Sequence, residues 1–158
     1  MEKRTIKDIM TVPVISVRPD TPLTEAAQIL GAHNFDGVPV VDAANKLAGI
    51  LTQYDLVSKG SALHLPTVQK ILGELKVYRK DKEEFQDDVE AVKKLTVKDL
   101  MNDDPLTLPD TASLADVVAA FRDHHRVNPI PVIDGERNVV GVVSRFDVMK
   151  LFGFVAEK

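Results

Sequence analysis

The sequence of 158 residues lacks several features on which whole classes of protein depend. It contains no cysteine, which excludes disulfides and thiolate metal sites and leaves the redox compartment undetermined. It has no glycine-rich phosphate loop, no nucleophile elbow and no pair of histidines one helical turn apart. No apolar run is long enough to span a bilayer, and the N-terminus leads into no apolar signal core. We therefore expect a soluble cytoplasmic protein without a membrane partner.

The charge of the chain argues against binding to duplex nucleic acid. Its formal net charge is -4, and its 20 basic residues are scattered among 24 acidic ones. Neutralising a phosphate backbone needs positive charge concentrated on one surface. A chain of this length can bury roughly two-thirds of its unfolded surface, which is enough for one substantial core or two coupled small ones.

His124 and His125 form the only histidine cluster in the sequence. Neighbouring residues on a helix point to different sides, and a cationic histidine near a helix C-terminus is stabilised by the helix dipole alone. We interpret the pair as a solvated helix end, with metal ligation or acid–base chemistry as the alternative. Since no other catalytic constellation is present, we expect no enzyme activity, no metal site and no catalytic cofactor.

One pattern occurs twice in the chain. Residues 5–10, Thr-Ile-Lys-Asp-Ile-Met, return at 96–101 as Thr-Val-Lys-Asp-Leu-Met. Three further pairs follow in the same order: 19–21 with 109–111, 38–42 with 130–134, and 49–55 with 141–147. An ordered series of matches indicates an internal repeat. The chain is therefore predicted to contain two copies of one folding unit.

Each copy is predicted to fold in the order β-α-β-β-α after a short, capped helical turn. The predicted first strands are 14–17 and 106–108, and the predicted hairpins are 38–51 and 130–143. Thr21 with Pro22, and Asp110 with Thr111, predict the starts of the first helices, whose apolar residues recur at helical spacing. The first helix of each copy joins parallel strands, so its crossover should be right-handed.

The residues between the copies have helical character. Apolar residues at one-face spacing predict helices over 66–76 and 84–94, packed against the rest of the chain. Their alternating charges favour a solvated outer face over a specific binding surface. The expected domains are a first repeat at 1–60, a helical insertion at 61–95 and a second repeat at 96–158.

The duplicated motifs resemble those of a known family. They resemble the tandem CBS (cystathionine β-synthase) domain pair, or Bateman module, of bacterial-type stand-alone proteins. The four motifs are Asp-Ile/Leu-Met, Pro-Asp-Thr, Val/Ile-Pro-Val-Val/Ile-Asp and Gly-Ile/Val-Leu/Val-Thr/Ser-x-x-Asp. The resemblance implies an α/β (α+β) fold of two β-α-β-β-α CBS units in pseudo-two-fold arrangement, with a helical insertion between them. It also implies a regulatory module that senses an adenosine-containing ligand (AMP, ADP, ATP or S-adenosylmethionine) in the clefts between the repeats. A homodimer is expected, because the second helix of each copy carries more apolar residues than one face needs: Leu56 and Val57, then Val148, Met149, Leu151 and Phe152. A separate effector protein is the other expected partner.

The resemblance also implies which residues bind the ligand. In the family, the hydroxyl and carboxylate of the last motif contact phosphate and ribose, which points to Thr52 with Asp55 and to Ser144 with Asp147. The adenine is expected to insert between first-strand and hairpin residues. These are Val14, Ile15, Ser16 and Val38 in one copy and Pro105, Leu106, Thr107 and Ile130 in the other. Both halves are expected to contribute to each cleft, and the sequence leaves open which first strand faces which aspartate.

The same Thr/Ser-x-x-Asp pattern is also an ordinary capping box. In a capping box the hydroxyl and the carboxylate bond to free N–H groups of their own helix, with no ligand involved. A structural dimerisation protein with empty clefts is therefore the alternative to a ligand sensor.

The two copies differ in charge near the implied phosphate position. Where phosphate-binding members often have a basic residue, the first copy has Asp36 and the second has Asn128. Arg126 lies just before Asn128, and Arg145 lies inside the second Ser-x-x-Asp motif. We expect both arginines to accompany Asp147, which makes that site the better candidate for a charged nucleotide. If the halves exchange contributions across the clefts, Arg126 serves the first motif instead.

Overall fold

The computed structural model describes residues 4–62 and 93–153. The elements in chain order are a 3-10 turn Ile6–Asp8, α1 Leu23–His33, β1 Gly37–Val41, β2 Leu47–Thr52, α2 Gln53–Ala62, α3 Val97–Leu100, β3 Leu108–Pro109, α4 Leu114–Asp123, β4 Ile130–Ile133, β5 Val139–Val143 and α5 Arg145–Leu151. The mixed α/β fold predicted from the sequence is confirmed. The helix predicted over 66–76 and almost all of that over 84–94 lie outside the described residues, so both stay predictions, as do the domain boundaries.

Each repeat contains the predicted antiparallel hairpin. β1 pairs with β2 and β4 pairs with β5, each with one register shift at the corresponding position. Every residue of β1 is buried, as expected for a strand covered on both faces. β3 lies parallel to β4, and α4 connects them. The second repeat therefore has the predicted element order in full.

The first strands are shorter than predicted. In the first repeat only Val17 pairs, through a parallel bridge to Val40, and in the second repeat the strand is limited to Leu108–Pro109. Residues 14–16 form no strand or bridge, and Val14 and Ile15 line a cleft.

The first helices begin later than predicted. Pro22 is the N-cap of α1, while Thr21 Oγ1 accepts a backbone N–H of the preceding turn. Ser113, not 110–111, caps α4, because its hydroxyl oxygen accepts the N–H of Asp116. The hydrogen bond from the Ser113 hydroxyl to the Asp116 carboxylate holds the pKa of Asp116 below its ordinary value. The start of α4 is therefore indicated by the Ser-x-x-Asp pattern of residues 113–116, and not by the Asp-Thr pair at 110–111.

Each hydrophobic core contains residues of both repeats. The first core packs Val97 and Leu100, from the turn that opens the second repeat, among the apolar residues of α1, β1 and β2. The second core packs Ile6, from the turn that opens the first repeat, against α4, β4 and β5. Backbone hydrogen bonds accompany this packing: Ile6 donates to the carbonyl of Ala112 at 3.0 Å and Val97 to that of Thr21 at 2.9 Å. The opening turn of each repeat thus packs in the core of the other repeat, and we call this reciprocal packing the exchange.

Further backbone pairs join the two repeats beside these turns. Thr11 and Val142 exchange hydrogen bonds of 2.7 and 3.3 Å, and Asn102 and Ile50 exchange two of 2.9 Å. At the second pair a Cβ on Gly49 would lie 2.5 Å from the carbonyl oxygen of Asn102. The absence of a side chain at Gly49 therefore permits the close approach of the two backbones.

The exchange predicts that Ile6 stabilises the second core although it belongs to the first repeat. Ile6 is fully buried, whereas Val12, in the same opening segment, is 58% exposed. We expect Ile6→Ala to lower the free energy of unfolding by about 2–4 kcal/mol, because truncating a buried isoleucine leaves a cavity. Urea denaturation measures this loss. Val12→Ala is the control, and an equal effect of the two substitutions would show that the segment is not docked.

Candidate functional site

Each of the two Thr/Ser-x-x-Asp motifs forms a capping box at the start of a helix. The backbone N–H and the hydroxyl of Ser144 both donate to Oδ2 of Asp147 at 2.8 Å. The corresponding donors of Thr52 reach Oδ2 of Asp55 at 3.0 and 2.7 Å. In return, each serine or threonine oxygen accepts the N–H of its aspartate at 3.2 Å. The helix-capping interpretation of both motifs is therefore confirmed.

The second carboxylate oxygen of each aspartate is less committed. Oδ1 of Asp147 lies 3.5 Å from the ammonium of Lys150, and Oδ1 of Asp55 lies 3.4 Å from that of Lys59. Both aspartates are only 7% exposed, and a buried carboxylate needs such partners to remain charged. Because an ionised carboxylate has about four acceptor positions, each Oδ1 keeps capacity for another donor.

Asp147 lines a cleft of about 600 Å³ between the repeats. The first repeat contributes the segment that includes Val14 and Ile15, and the second contributes Ser144 and Asp147 from the start of α5. The remaining lining residues are Thr11, Pro13, His33, Asn34, Phe35, Asp36, Gly37, Pro39, Pro129, Val142, Phe146 and Lys150. We call this cleft the large cleft. Its volume falls within the usual range for small-molecule sites.

Asp55 lines a second cleft, of about 220 Å³. Here the contributions are reversed: Thr52 and Asp55 come from the first repeat, and Pro105 and Leu106 come from the second. The remaining lining residues are Ile50, Tyr54, Lys59, Asn102, Arg126, Val127, Asn128 and Pro129. We call this the small cleft. Each aspartate therefore faces the first-strand segment of the other repeat, which answers the question that the sequence left open.

The expectation that both arginines accompany Asp147 is wrong. Arg126 lines the small cleft, beside Asp55. Arg145 lines neither cleft, because its guanidinium donates to the carbonyl oxygens of His124 at 3.0 Å and of His125 at 2.8 Å. Arg145 therefore holds the chain after α4 in place, and the charge argument for a nucleotide beside Asp147 fails.

Four other residues expected to contact adenine lie outside both clefts. The side chains of Val38 and Ile130 are in the hydrophobic cores, because β1 and β4 are covered on both faces. Ser16 and Thr107 are partly buried and line neither cleft. Their ligand contacts stay untested predictions without support from this geometry.

The sequence analysis compared Asp36 with Asn128 for their charge but did not predict that these matching positions contact each other and separate the clefts. The side-chain amide of Asn128 donates to the Asp36 carboxylate at 2.6 Å, and its oxygen accepts the backbone N–H of Arg145 at 2.9 Å. Pro129 lines both clefts, and a Cβ on Gly37 would lie 2.9 Å from its Cδ. The matching positions of the two repeats thus meet at a shared wall. The signal was the repeat alignment itself, which pairs Asp36 with Asn128 and Gly37 with Pro129.

Residues 4–62 and 93–153 contain no cluster of three or more potential metal ligands. None of the helices in this part of the chain is long and apolar enough to cross a membrane. His124, which follows the last residue of α4, and His125 are both exposed.

The capping geometry predicts that Ser144 stabilises the protein without any ligand. We expect Ser144→Ala to lower the free energy of unfolding of the ligand-free protein by about 0.5–2 kcal/mol, the usual effect of losing a helix N-cap. Thermal or urea denaturation measures this change. Thr111→Ala is the control, because Thr111 is exposed and does not cap α4. A Ser144→Ala protein as stable as the wild type would contradict the cap.

Comparison with known proteins adds relatives whose ligands are known. The CBS domain pair of protein MJ0100, solved in complex with 5′-methylthioadenosine and S-adenosyl-L-methionine, is 26% identical, with a TM-score of 0.70 over 96% of this chain and 98% of that one. The structure of CBSX2 in complex with AMP has a TM-score of 0.69 over 94% of this chain and 95% of that one. At 23% identity, this second likeness shows the fold alone.

Curated relatives include both an enzyme and a CBS domain-containing protein. The L-aspartate semialdehyde sulfurtransferase of Methanocaldococcus jannaschii is 29% identical over 94% of this chain, which spans only 23% of the enzyme's length. The chloroplastic CBS domain-containing protein CBSX1 of Arabidopsis thaliana is 27% identical over 85% of this chain and 57% of its own. The family model for the CBS domain matches residues 6–61 and 97–153. With both repeats matched over more than half of its length, this chain belongs to the CBS domain family as a tandem pair.

Proposed function

We propose that this protein is a regulatory module that binds an adenosine-containing ligand in the large cleft. The observation that carries the proposal is the Asp147 carboxylate, which lines a cleft of about 600 Å³ and has one oxygen outside the capping box. Oδ2 already accepts two hydrogen bonds from Ser144. A ribose hydroxyl is therefore expected to donate to Oδ1, in place of a contact to both oxygens.

The opposite side of the cleft suits a flat apolar base. Val14 and Ile15 line it beside Pro13 and Pro39, and Ile15 is 36% exposed in the ligand-free protein. An adenine between these side chains would bury apolar surface now in contact with water. The 5′-methylthioadenosine and S-adenosyl-L-methionine bound by the MJ0100 domain pair support this class of ligand.

A regulatory role is proposed in place of catalysis. The chain corresponds to only 23% of the length of the sulfurtransferase relative, and the CBS domain model matches both of its repeats. A small-molecule sensor acts by binding two conformational states with different affinity. We infer that a separate effector protein reads this difference. The cytoplasmic location stays a prediction.

The size of the two clefts predicts unequal effects of their aspartates. We expect Asp147→Ala to weaken binding of 5′-methylthioadenosine about tenfold or more, the scale of a lost hydrogen bond to a charged group. Asp55→Ala should have a smaller effect, because its cleft of about 220 Å³ is below the usual size for such a ligand. The sequence also favoured the Asp147 site, because two arginines were expected beside it. The structure favours the same site for a different reason, the larger volume of its cleft, since Arg126 lines the small cleft.

Titration calorimetry of the wild type and both variants measures these affinities. Asp20→Ala is the control for the loss of a surface carboxylate, because Asp20 is exposed and lines neither cleft. Equal losses of ligand affinity in Asp147→Ala and Asp55→Ala would contradict the assignment of the binding site to the large cleft. No binding by the wild type of 5′-methylthioadenosine, S-adenosylmethionine or AMP would favour the structural alternative.

We also propose that the protein is a homodimer. Leu56, which was expected to be exposed at this interface, is buried in the first core, but matching positions of α2 and α5 carry large exposed apolar side chains. These are Tyr54 with Phe146, at 59% and 45% exposure, and Val57 with Met149, each at 46%. Repeated apolar patches of this kind mark an interface between chains, and two equivalent patches suit a symmetric dimer. The same surface supports structural dimerisation as the alternative function.

The dimer proposal predicts a particle of twice the 17.4 kDa chain mass at micromolar concentration. Introducing charge with the double substitution Val57→Asp and Met149→Asp should shift the equilibrium to monomer, because it places unpaired carboxylates in the interface. Val118→Asp is the control, since Val118 is 41% exposed on α4. Sedimentation velocity decides between these states, and a monomeric wild type would exclude the dimer.

A further inference from the structure

Within residues 4–62 and 93–153, each cleft has one charged side chain without an oppositely charged partner, and these two charges have opposite signs. In the large cleft the Asp36 carboxylate is contacted by the neutral amide of Asn128 at 2.6 Å. In the small cleft the guanidinium of Arg126 forms no hydrogen bond or ion pair with any residue of the described ranges. The repeat alignment places Asn34 at the position of Arg126, and Asn128 at that of Asp36. The difference between the clefts therefore comes from two substitutions between the repeats.

The other charged groups in each cleft compensate one another. In the large cleft Asp147 pairs with Lys150, whose ammonium also lies 5.0 Å from the centre of the Phe146 ring. In the small cleft Asp55 pairs with Lys59, whose ammonium also donates to the carbonyl of Leu100 at 2.8 Å. The uncompensated charge is thus negative in the large cleft, from Asp36, and positive in the small cleft, from Arg126.

Three donor groups next to Asp147 that could otherwise contact a phosphate are already in use. A carboxylate only accepts hydrogen bonds, so the 2.8 Å contact between Ser144 Oγ and Asp147 Oδ2 uses the single hydroxyl proton of Ser144. The backbone N–H of Arg145 donates to the side chain of Asn128, and the guanidinium of Arg145 is bound to backbone carbonyls. A phosphate entering this cleft would meet Asp36 without a free donor among these groups.

On the basis of the proposed function, we propose that the large cleft selects adenosine compounds that carry no phosphate. Compounds with a neutral or cationic 5′ substituent meet no repulsion from Asp36, and a cationic sulfonium is attracted by it. AMP, ADP and ATP bring negative charge toward an unpaired carboxylate, and the desolvation of both charges opposes their binding. The small cleft, with Arg126, is the one that attracts an anion.

The test compares three ligands that share adenosine and differ in charge at the 5′ position. These are 5′-methylthioadenosine, which is neutral, S-adenosylmethionine, which is cationic, and AMP, which is anionic. Calorimetry at low ionic strength should show that the wild type prefers the first two over AMP, and that Asp147→Ala weakens their binding about tenfold or more. AMP bound at the small cleft should depend on Arg126 and Asp55, whereas AMP bound at the large cleft should depend on Asp147.

Asp36→Asn removes the charge and keeps an oxygen that accepts the hydrogen bond from Asn128. We expect this variant to bind AMP roughly three- to tenfold more tightly at the large cleft, as expected for removing one partly screened charge. Binding of neutral 5′-methylthioadenosine should be unchanged, and S-adenosylmethionine should bind more weakly. Asp20→Asn makes the same change in net charge outside both clefts and should alter none of these affinities.

Two results would overturn the inference and leave the proposed function intact. One is wild-type binding of AMP as tight as that of 5′-methylthioadenosine with dependence on Asp147. The other is an Asp36→Asn variant with the ligand preference of the wild type. If none of the three compounds binds to the wild type, the proposed function itself fails, and the charge selection fails with it.

Discussion

Each half of this protein depends on a segment supplied by the other half. The 3-10 turn that opens the first repeat places the fully buried Ile6 in the second core, and α3 places Val97 and Leu100 in the first. Burying an isoleucine, valine or leucine side chain contributes about 1.5–3 kcal/mol each. Neither core is complete without this exchange, so the two repeats are expected to fold and unfold together.

The exchange also determines how the clefts are built. Once the opening segment of the first repeat lies on the second, the chain that follows it passes across the boundary and brings Val14 and Ile15 opposite Asp147. The second repeat does the same with Pro105 and Leu106 opposite Asp55. A ligand in either cleft would contact both repeats. Binding could therefore change their relative position, which is the property that a sensing module requires.

Capping and ligand binding do not exclude each other at the Thr/Ser-x-x-Asp motifs. One carboxylate oxygen satisfies the hydroxyl and N–H groups at the helix start, and the other lies beside a lysine. The capping bonds hold Asp147 in one orientation before any ligand arrives, so little conformational entropy is lost when a ribose binds. They also occupy the Ser144 hydroxyl, so in the proposed function the charge of nearby residues would decide which 5′ substituent is accepted.

The two clefts differ because the repeats have diverged at their shared wall. Asp36 and Asn128 meet across it in a hydrogen bond of 2.6 Å, although they occupy the same position in the two copies. This contact joins the rims of both clefts, together with Pro129, which lines both. The two clefts are therefore in contact through this wall.

The sequence by itself determined the duplication, the hairpins, the helical turns and the Thr/Ser-x-x-Asp motifs, because each of these depends on residues close together in the chain. Only the tertiary structure decided which opening turn enters which core, and hence that Arg126 lies beside Asp55 while Asp36 lies beside Asp147. The physical reason is that the repeats present nearly the same apolar pattern. Ile6 and Val97 could fill either core on local grounds, and long-range packing made the choice. Arg145 shows the same limit, because its charge was visible in the sequence but the carbonyls that bind it come from residues about twenty positions away.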